Sequence, residues 1–119
     1  MNRSAMILLL VSFLFSCAAH RTGAGMRMLP SCLDAKIKTM AMDPSQGLPQ
    51  SVTRYSYKQE AVYYMVSACC DKYNIVYDSA CNIIGYPDGG LTGRGDGKMT
   101  DFRVEATEGK VVWEIGNEK

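Results

Sequence analysis

Four cysteines in about 100 residues constrain this chain more than any other feature. Cys32, Cys69, Cys70 and Cys81 are what remains of five cysteines once Cys17 is assigned to the leader or to a lipid anchor. An even number in a small exported domain implies a disulfide framework, with three possible connectivities. A domain of this size lies near the low end of what a core alone can stabilise, and each bridge could contribute roughly 2–4 kcal/mol. Zinc is the competing use of the thiols. The only histidine is His20, outside the folded part, and the spacings lack the paired CxxC form of zinc sites, so disulfides are the stronger reading.

The expectation of export comes from the first residues. Asn2-Arg3 carries one positive charge, and Met6 to Phe15 is a short apolar run ending at Ser16-Cys17. That order reads as a signal peptide over residues 1–16. The run falls short of the roughly 20 apolar residues of a transmembrane helix. Leu14-Phe15-Ser16-Cys17 resembles the lipobox of bacterial lipoproteins, whose Cys is diacylated and becomes the first mature residue. Phe15 fits that pattern poorly, and cleavage after Ala19 is the alternative. Residues 17–28 then form a lipidated Cys and a Gly-containing tether, and 29–119 a single domain. Ala18 after the Cys, where Asp would retain the protein at the inner membrane, favours an outer-membrane lipoprotein over a periplasmic or secreted protein.

Thirteen basic residues against twelve acidic ones leave the chain near neutrality. No block of like charge supports nucleic-acid binding. Ser31, with Asp34 three residues later, reads as a capping box, and Leu33, Ile37 and Met40 form one apolar stripe of a helix ending before Pro44. Val52–Tyr57 and Ala61–Val66, across Lys58-Gln59-Glu60, read as a hairpin. Ile75–Tyr77 and Asn82–Ile84 flank a turn at Asp78–Cys81, and Pro87 to Asp101 is a glycine-rich loop. Phe102–Ala106 and Val111–Ile115 alternate across Thr107–Lys110 as a closing hairpin. The expected fold is α+β, one short N-terminal helix on a small antiparallel sheet, disulfide-stabilised.

Cys69-Cys70-Asp71, Tyr77-Asp78, Cys81-Asn82, Pro87-Asp88-Gly89-Gly90, Thr92-Gly93, Gly95-Asp96-Gly97-Lys98, Asp101-Phe102 and Val112-Trp113 make a recognisable series. From Cys32 to Ile115 the chain resembles an uncharacterised family of small cysteine-rich bacterial lipoproteins, a domain of unknown function. The resemblance implies architecture and location and attaches no reaction. It also implies cysteines where this chain has Gly85 and Met99, and losing both together is how the loss of one whole disulfide looks.

Several residues invite a functional reading. Gly93 to Lys98 could offer backbone N–H groups to an anion, with Arg94 and Lys98 beside it, although the P-loop spacing is missing and a structural turn cluster is the stronger reading. Asp88, Asp96 and Asp101 could converge on calcium, but an EF-hand register would put Arg94 and Arg103 at ligand positions, so no metal is expected. Arg94-Gly95-Asp96 matches the integrin-binding tripeptide by coincidence. Adjacent Cys69 and Cys70 are expected on opposite faces of a strand, bonding different partners rather than each other. Tyr55, Tyr57, Tyr63 and Tyr64 in one hairpin could leave an aromatic face for a protein or glycan, or belong to a half-buried sheet that the helix covers on one side, since alternation must bury some of them.

No catalytic set assembles, because a Ser or Cys nucleophile has no histidine inside the fold. The expectation is a non-catalytic binding or structural module of the cell envelope. It needs no cofactor, joins the membrane through Cys17, and meets an unknown envelope protein or glycan. The alternative is a secreted inhibitor that presents the loop from Asp88 to Asp101 to a target enzyme.

Overall fold

The computed structural model describes residues 28–117. The expected signal peptide, the lipidation of Cys17 and the tether up to residue 27 lie outside the described residues. Helix α1 spans Ser31–Met42, with Leu33 and Ile37 buried and Met40 half-buried, as the apolar stripe requires. Its start corrects the capping-box expectation. Pro30 takes the N-cap position, and its carbonyl accepts from the N–H groups of Leu33 and Asp34, both at 3.0 Å. Ser31 is thereby the first helical residue and makes no cap bond, while Asp34 accepts from Lys38 Nζ at 2.7 Å. The helix stops at Asp43, ahead of Pro44, where a preceding residue disfavours helical geometry.

Strands β1 (Ser51–Tyr57) and β2 (Glu60–Val66) form the expected hairpin. Its turn is the two residues Lys58 and Gln59, both at positive φ (49° and 69°), a geometry that matches the twist of the flanking strands. Strands β3 (Ile75–Tyr77) and β4 (Ile83–Gly85) flank a turn in which the Asp78 carboxylate accepts from the N–H groups of Ala80 and Asn82. These bonds, with the Asn82 amide first among them, hold Asp78 below its ordinary pKa.

The C-terminal hairpin is corrected. Phe102–Glu105 is a short helix, α2, and Thr107–Glu114 is one strand, β5, paired antiparallel with β1. The alternation of Phe102 and Val104 suggested two inward side chains, yet Val104 is 81% exposed and Phe102 alone turns inward. Topology explains why. The sheet order is β4-β3-β2-β1-β5, so the chain leaving β4 must cross the whole sheet to reach β1's far edge. Four strand spacings are about 19 Å. The glycine-rich loop and α2 make that crossing over the face opposite α1.

Both faces of the sheet are therefore covered. On one, Leu33 and Ile37 of α1 meet Val52, Tyr63, Met65 and Tyr77; on the other, Met99 and Phe102 meet Tyr57, Val62 and Val76. Residues 62 to 65 are all apolar or aromatic because alternate positions feed two cores.

Cys32 at the start of α1 is bonded to Cys81 in the β3–β4 turn, with 49 residues of separation and Cα atoms 6.2 Å apart. Cys69 is bonded to Cys70. That vicinal bridge overturns the expectation of separate partners. Strand β2 ends at Val66, so the two cysteines occupy a turn, where the opposite-face rule for strands has no force.

Candidate functional site

The glycine-rich crossing is fastened by one buried carboxylate. Asp88 follows Pro87 and is 6% exposed, the one buried charged residue among those described. Tyr64 on β2 donates its hydroxyl to Oδ1 at 2.9 Å and lies 3.1 Å from Oδ2. Asn74 donates Nδ2 to Oδ1 at 2.6 Å, and Arg103 on α2 donates to Oδ2 at 2.9 Å. Backbone bonds add to this, with Asn74 N–H donating to the Asp88 carbonyl and Gly90 N–H to the Lys72 carbonyl, each at 3.1 Å. A carboxylate out of water needs such partners. Burial, and then Asp88, pushes the Tyr64 hydroxyl well above its ordinary pKa, keeping it a donor.

The glycine string beyond it closes on itself. Gly93 N–H donates to the Gly90 carbonyl, Gly95 N–H to Gly89, Asp96 N–H to Tyr86, and Lys98 N–H to the Asp96 side chain. Of the N–H groups from Gly93 to Lys98 that could meet an anion, those of Gly93, Arg94, Gly95, Asp96 and Lys98 are already bonded inside the protein. Gly95 has φ of 65°, and a side chain there would run into the Tyr86 carbonyl. Outward, Leu91 is 88% exposed, and Arg94 and Lys98 are exposed as well.

The three aspartates considered for calcium do not converge. Asp88 is held as described, and Asp96 turns to Lys98. Asp101 accepts from Tyr57 at 2.8 Å and pairs with Lys58 at 2.9 Å. Among the described residues no group of three or more His, Cys, Asp or Glu is arranged to hold a metal ion.

Of the two readings of the hairpin tyrosines, the covered sheet is the one the structure supports. Tyr63 is buried beneath α1, and Tyr57 is buried beneath α2. Tyr55 and Tyr64 are half-buried, with Tyr55, Tyr57 and Tyr64 ringing Phe102 at centroid distances of 5.7, 5.3 and 5.7 Å. A cavity of about 230 Å³ remains among Tyr55, Tyr64, Asp88, Phe102, Arg103 and Ala106. The sequence reading missed Asn74, Arg103 and the inward turn of Phe102. Arg103 is adjacent to Phe102, but only the crossing of the sheet brings both to Asp88.

These features define a small disulfide-bridged α+β domain, with a helix on one face of a five-stranded antiparallel sheet and a glycine-rich crossing on the other. The model of the family described as Domain of unknown function (DUF6970) matches residues 38–115, most of the chain. The protein belongs to that family. Neither the curated proteins nor the solved structures contain a match to it.

A Cβ built on Gly85 would lie 2.6 Å from Met99 Sδ, so the two positions face each other across β4 and the loop. Met99 fills the space that Gly85 leaves empty.

Proposed function

We propose that this protein is an exported cell-envelope domain, held to a membrane by acyl chains on Cys17, that binds a partner and performs no chemistry of its own. The observation that carries the reading is the pairing of all four cysteines from Cys32 onward in two bridges. Such bonds persist in oxidising compartments, and the charged start and apolar run of residues 1–16 supply the route there. Ala18 directs a lipoprotein of this kind to the outer membrane. Binding is favoured over catalysis by how the carboxylates are used. Asp88 and Asp101 are each tied to a cation and a tyrosine on neighbouring elements, which serves architecture.

The intact mass of the protein from its native host tests this reading. A mass that begins at Cys17, includes acyl chains and rises by four protons on reduction is the expected result. A mass that begins near His20 without lipid overturns the anchor. Turnover of any substrate by the purified protein in a broad hydrolase screen overturns the non-catalytic part.

One observation favours a second reading, a secreted inhibitor. The loop is pinned at Asp88, Gly89 and Gly95 while Leu91 and Arg94 project from it, which is a rigid shape able to enter an enzyme's cleft. An unlipidated mass brings this reading forward, and loss of inhibition on Arg94→Ala or Lys98→Ala then tests it.

A further inference from the structure

We propose that the cavity at the end of the sheet remote from the tether binds a small ligand with a flat apolar body and an anionic head. The Cys32–Cys81 bridge fixes the start of α1, and with it the tether junction, to the β3–β4 turn. The β1–β2 hairpin begins its return at the same end, where Ser79 Oγ donates to the Ala61 carbonyl. At the opposite end, where α1 and β2 finish and β3 begins, a cavity of about 380 Å³ opens among Met40, Met65, Ile75, Lys72, Tyr73 and Tyr86. That volume falls within the roughly 300–1,000 Å³ of small-ligand sites. A domain tethered at one end presents the cavity away from its attachment.

The lining sets the ligand's chemistry. Met40, Met65 and Ile75 make an apolar floor, and methionine adapts its shape to what it meets. Tyr73 and Tyr86 form one wall, their ring centroids 5.2 Å apart and tilted by 41°. Gly90 gives Tyr73 its place, because a Cβ there would lie 2.5 Å from the ring. Lys72, which lines the cavity and is exposed, donates Nζ to the Gln46 carbonyl at 2.6 Å and keeps further protons to donate. A cation beside an apolar hollow fits an anionic head. Asp71 also lines the cavity and is exposed, so a cationic head is the competing outcome.

The vicinal bridge takes on a role here. Ala68 and Asp71, on either side of Cys69-Cys70, both line the cavity. Ser67 N–H donates to Asn74 Oδ1 at 2.9 Å, and Ser67 Oγ bonds the Tyr73 carbonyl. The rim from Ser67 to Asn74 is thus held in one shape, which lowers the ordering cost of binding.

The proposal rests on the reading of the protein as a binding module, but its test does not depend on the anchor. Full-length protein in detergent is titrated calorimetrically with phenylacetate, phenethyl alcohol and phenethylamine. Phenylacetate is expected to bind about tenfold tighter than the alcohol, the usual scale of one hydrogen bond to a charged group. Lys72→Gln removes that preference at unchanged thermal stability, and Ala68→Phe, which fills the cavity from its rim, abolishes binding of all three probes. Equal affinities, a preference for the amine, absence of binding, or binding that survives Ala68→Phe each overturn the proposal. Acylation of Cys17 without probe binding rejects the site and leaves the anchor standing, and the reverse result does the opposite.

Discussion

The two faces of the sheet are covered by different means. Under α1, a continuous apolar stripe meets Val52, Tyr63, Met65 and Tyr77, and the Cys32–Cys81 bridge locks the helix at its start. On the other face, among the described residues, no regular element longer than the four-residue α2 is available. There an irregular crossing is held by Phe102 among three tyrosines and by the buried Asp88. The helix face is specified by apolar matching and one covalent bond. The loop face is specified by polar groups that have few other places to go. A small domain can therefore keep a long glycine-rich segment ordered without helix or strand, provided one carboxylate collects donors from several elements.

The largest effect should come from the covalent side. Closing a loop of 49 residues restricts the unfolded chain by about 4 kcal/mol. Cys32→Ser/Cys81→Ser is expected to lower unfolding stability by that amount in urea titration. The Cys69–Cys70 bond closes no chain segment, so Cys69→Ser/Cys70→Ser should leave the urea midpoint nearly unchanged. Equal losses from the two pairs would break the assignment of the helix face to a single staple.

Next is the polar side. Asp88→Ala takes the acceptor from the half-buried Tyr64 hydroxyl and leaves Asn74 Nδ2 only its bond to the Tyr64 oxygen at 3.1 Å, and a donor left unsatisfied costs about 1–3 kcal/mol. A total near 3 kcal/mol is expected, accompanied by faster amide exchange from Gly89 to Asp101. Arg103→Gln should cost less, because Tyr64 and Asn74 still donate to the Asp88 carboxylate and the Arg103 side chain is itself 75% exposed. If Arg103→Gln matched Asp88→Ala, the buried hydrogen bonds would not be what holds the crossing.

A third change transfers the helix face's device to the loop face. Gly85→Cys/Met99→Cys places two thiols at positions that already touch. A bridge there is expected to add about 2 kcal/mol, the lower end for a native-like staple. Gly85→Cys alone should destabilise, since its Cβ would meet the Met99 thioether at 2.6–2.7 Å.

What the sequence showed of this arrangement follows the same division. Leu33, Ile37 and Met40 at helical spacing, and β1 and β2 at period two, are local patterns, and α1 and the first four strands lie where those patterns put them. Phe102–Ala106 misled because its alternation is also compatible with one helical turn, and the deciding fact is the distance from β4 to β1's far edge. The burial of Tyr57 was hidden for the same reason, since the single expected helix covers only the face that Tyr63 shares. Asp88 lies in a motif that draws attention, but its partners Tyr64, Asn74 and Arg103 are 24, 14 and 15 residues away, and only the folded sheet joins them. The vicinal bridge could not be read from spacing, which left three pairings open.

The smallest effect separates the exposed latch from the buried one. Asp101 anchors the start of α2 to the β1–β2 turn through Lys58 at 2.9 Å and Tyr57 at 2.8 Å. Its carboxyl is held below the ordinary value of 3.8, first by Lys58 and then by Tyr57, while the Lys58 ammonium is raised above 10.5, first by Asp101. The depressed Asp101 makes its contribution above its unfolded pKa and loses it as pH falls through its native one. The raised Lys58 makes the same bond's contribution below its own unfolded pKa and loses it as pH rises further. Stability should therefore decline below about pH 4, and Asp101→Asn should flatten part of that decline. Asp43 and Asp78, also held low, leave the remainder. Because this pair is exposed, salt near 1 M, where screening acts over about 3 Å, should erase the Lys58 part of the Asp101 portion while leaving the Tyr57 bond and the cost of Asp88→Ala intact. If salt reduced both alike, Asp88 would be acting through its surface charge, and the contrast between a screened latch and a desolvated one would fail.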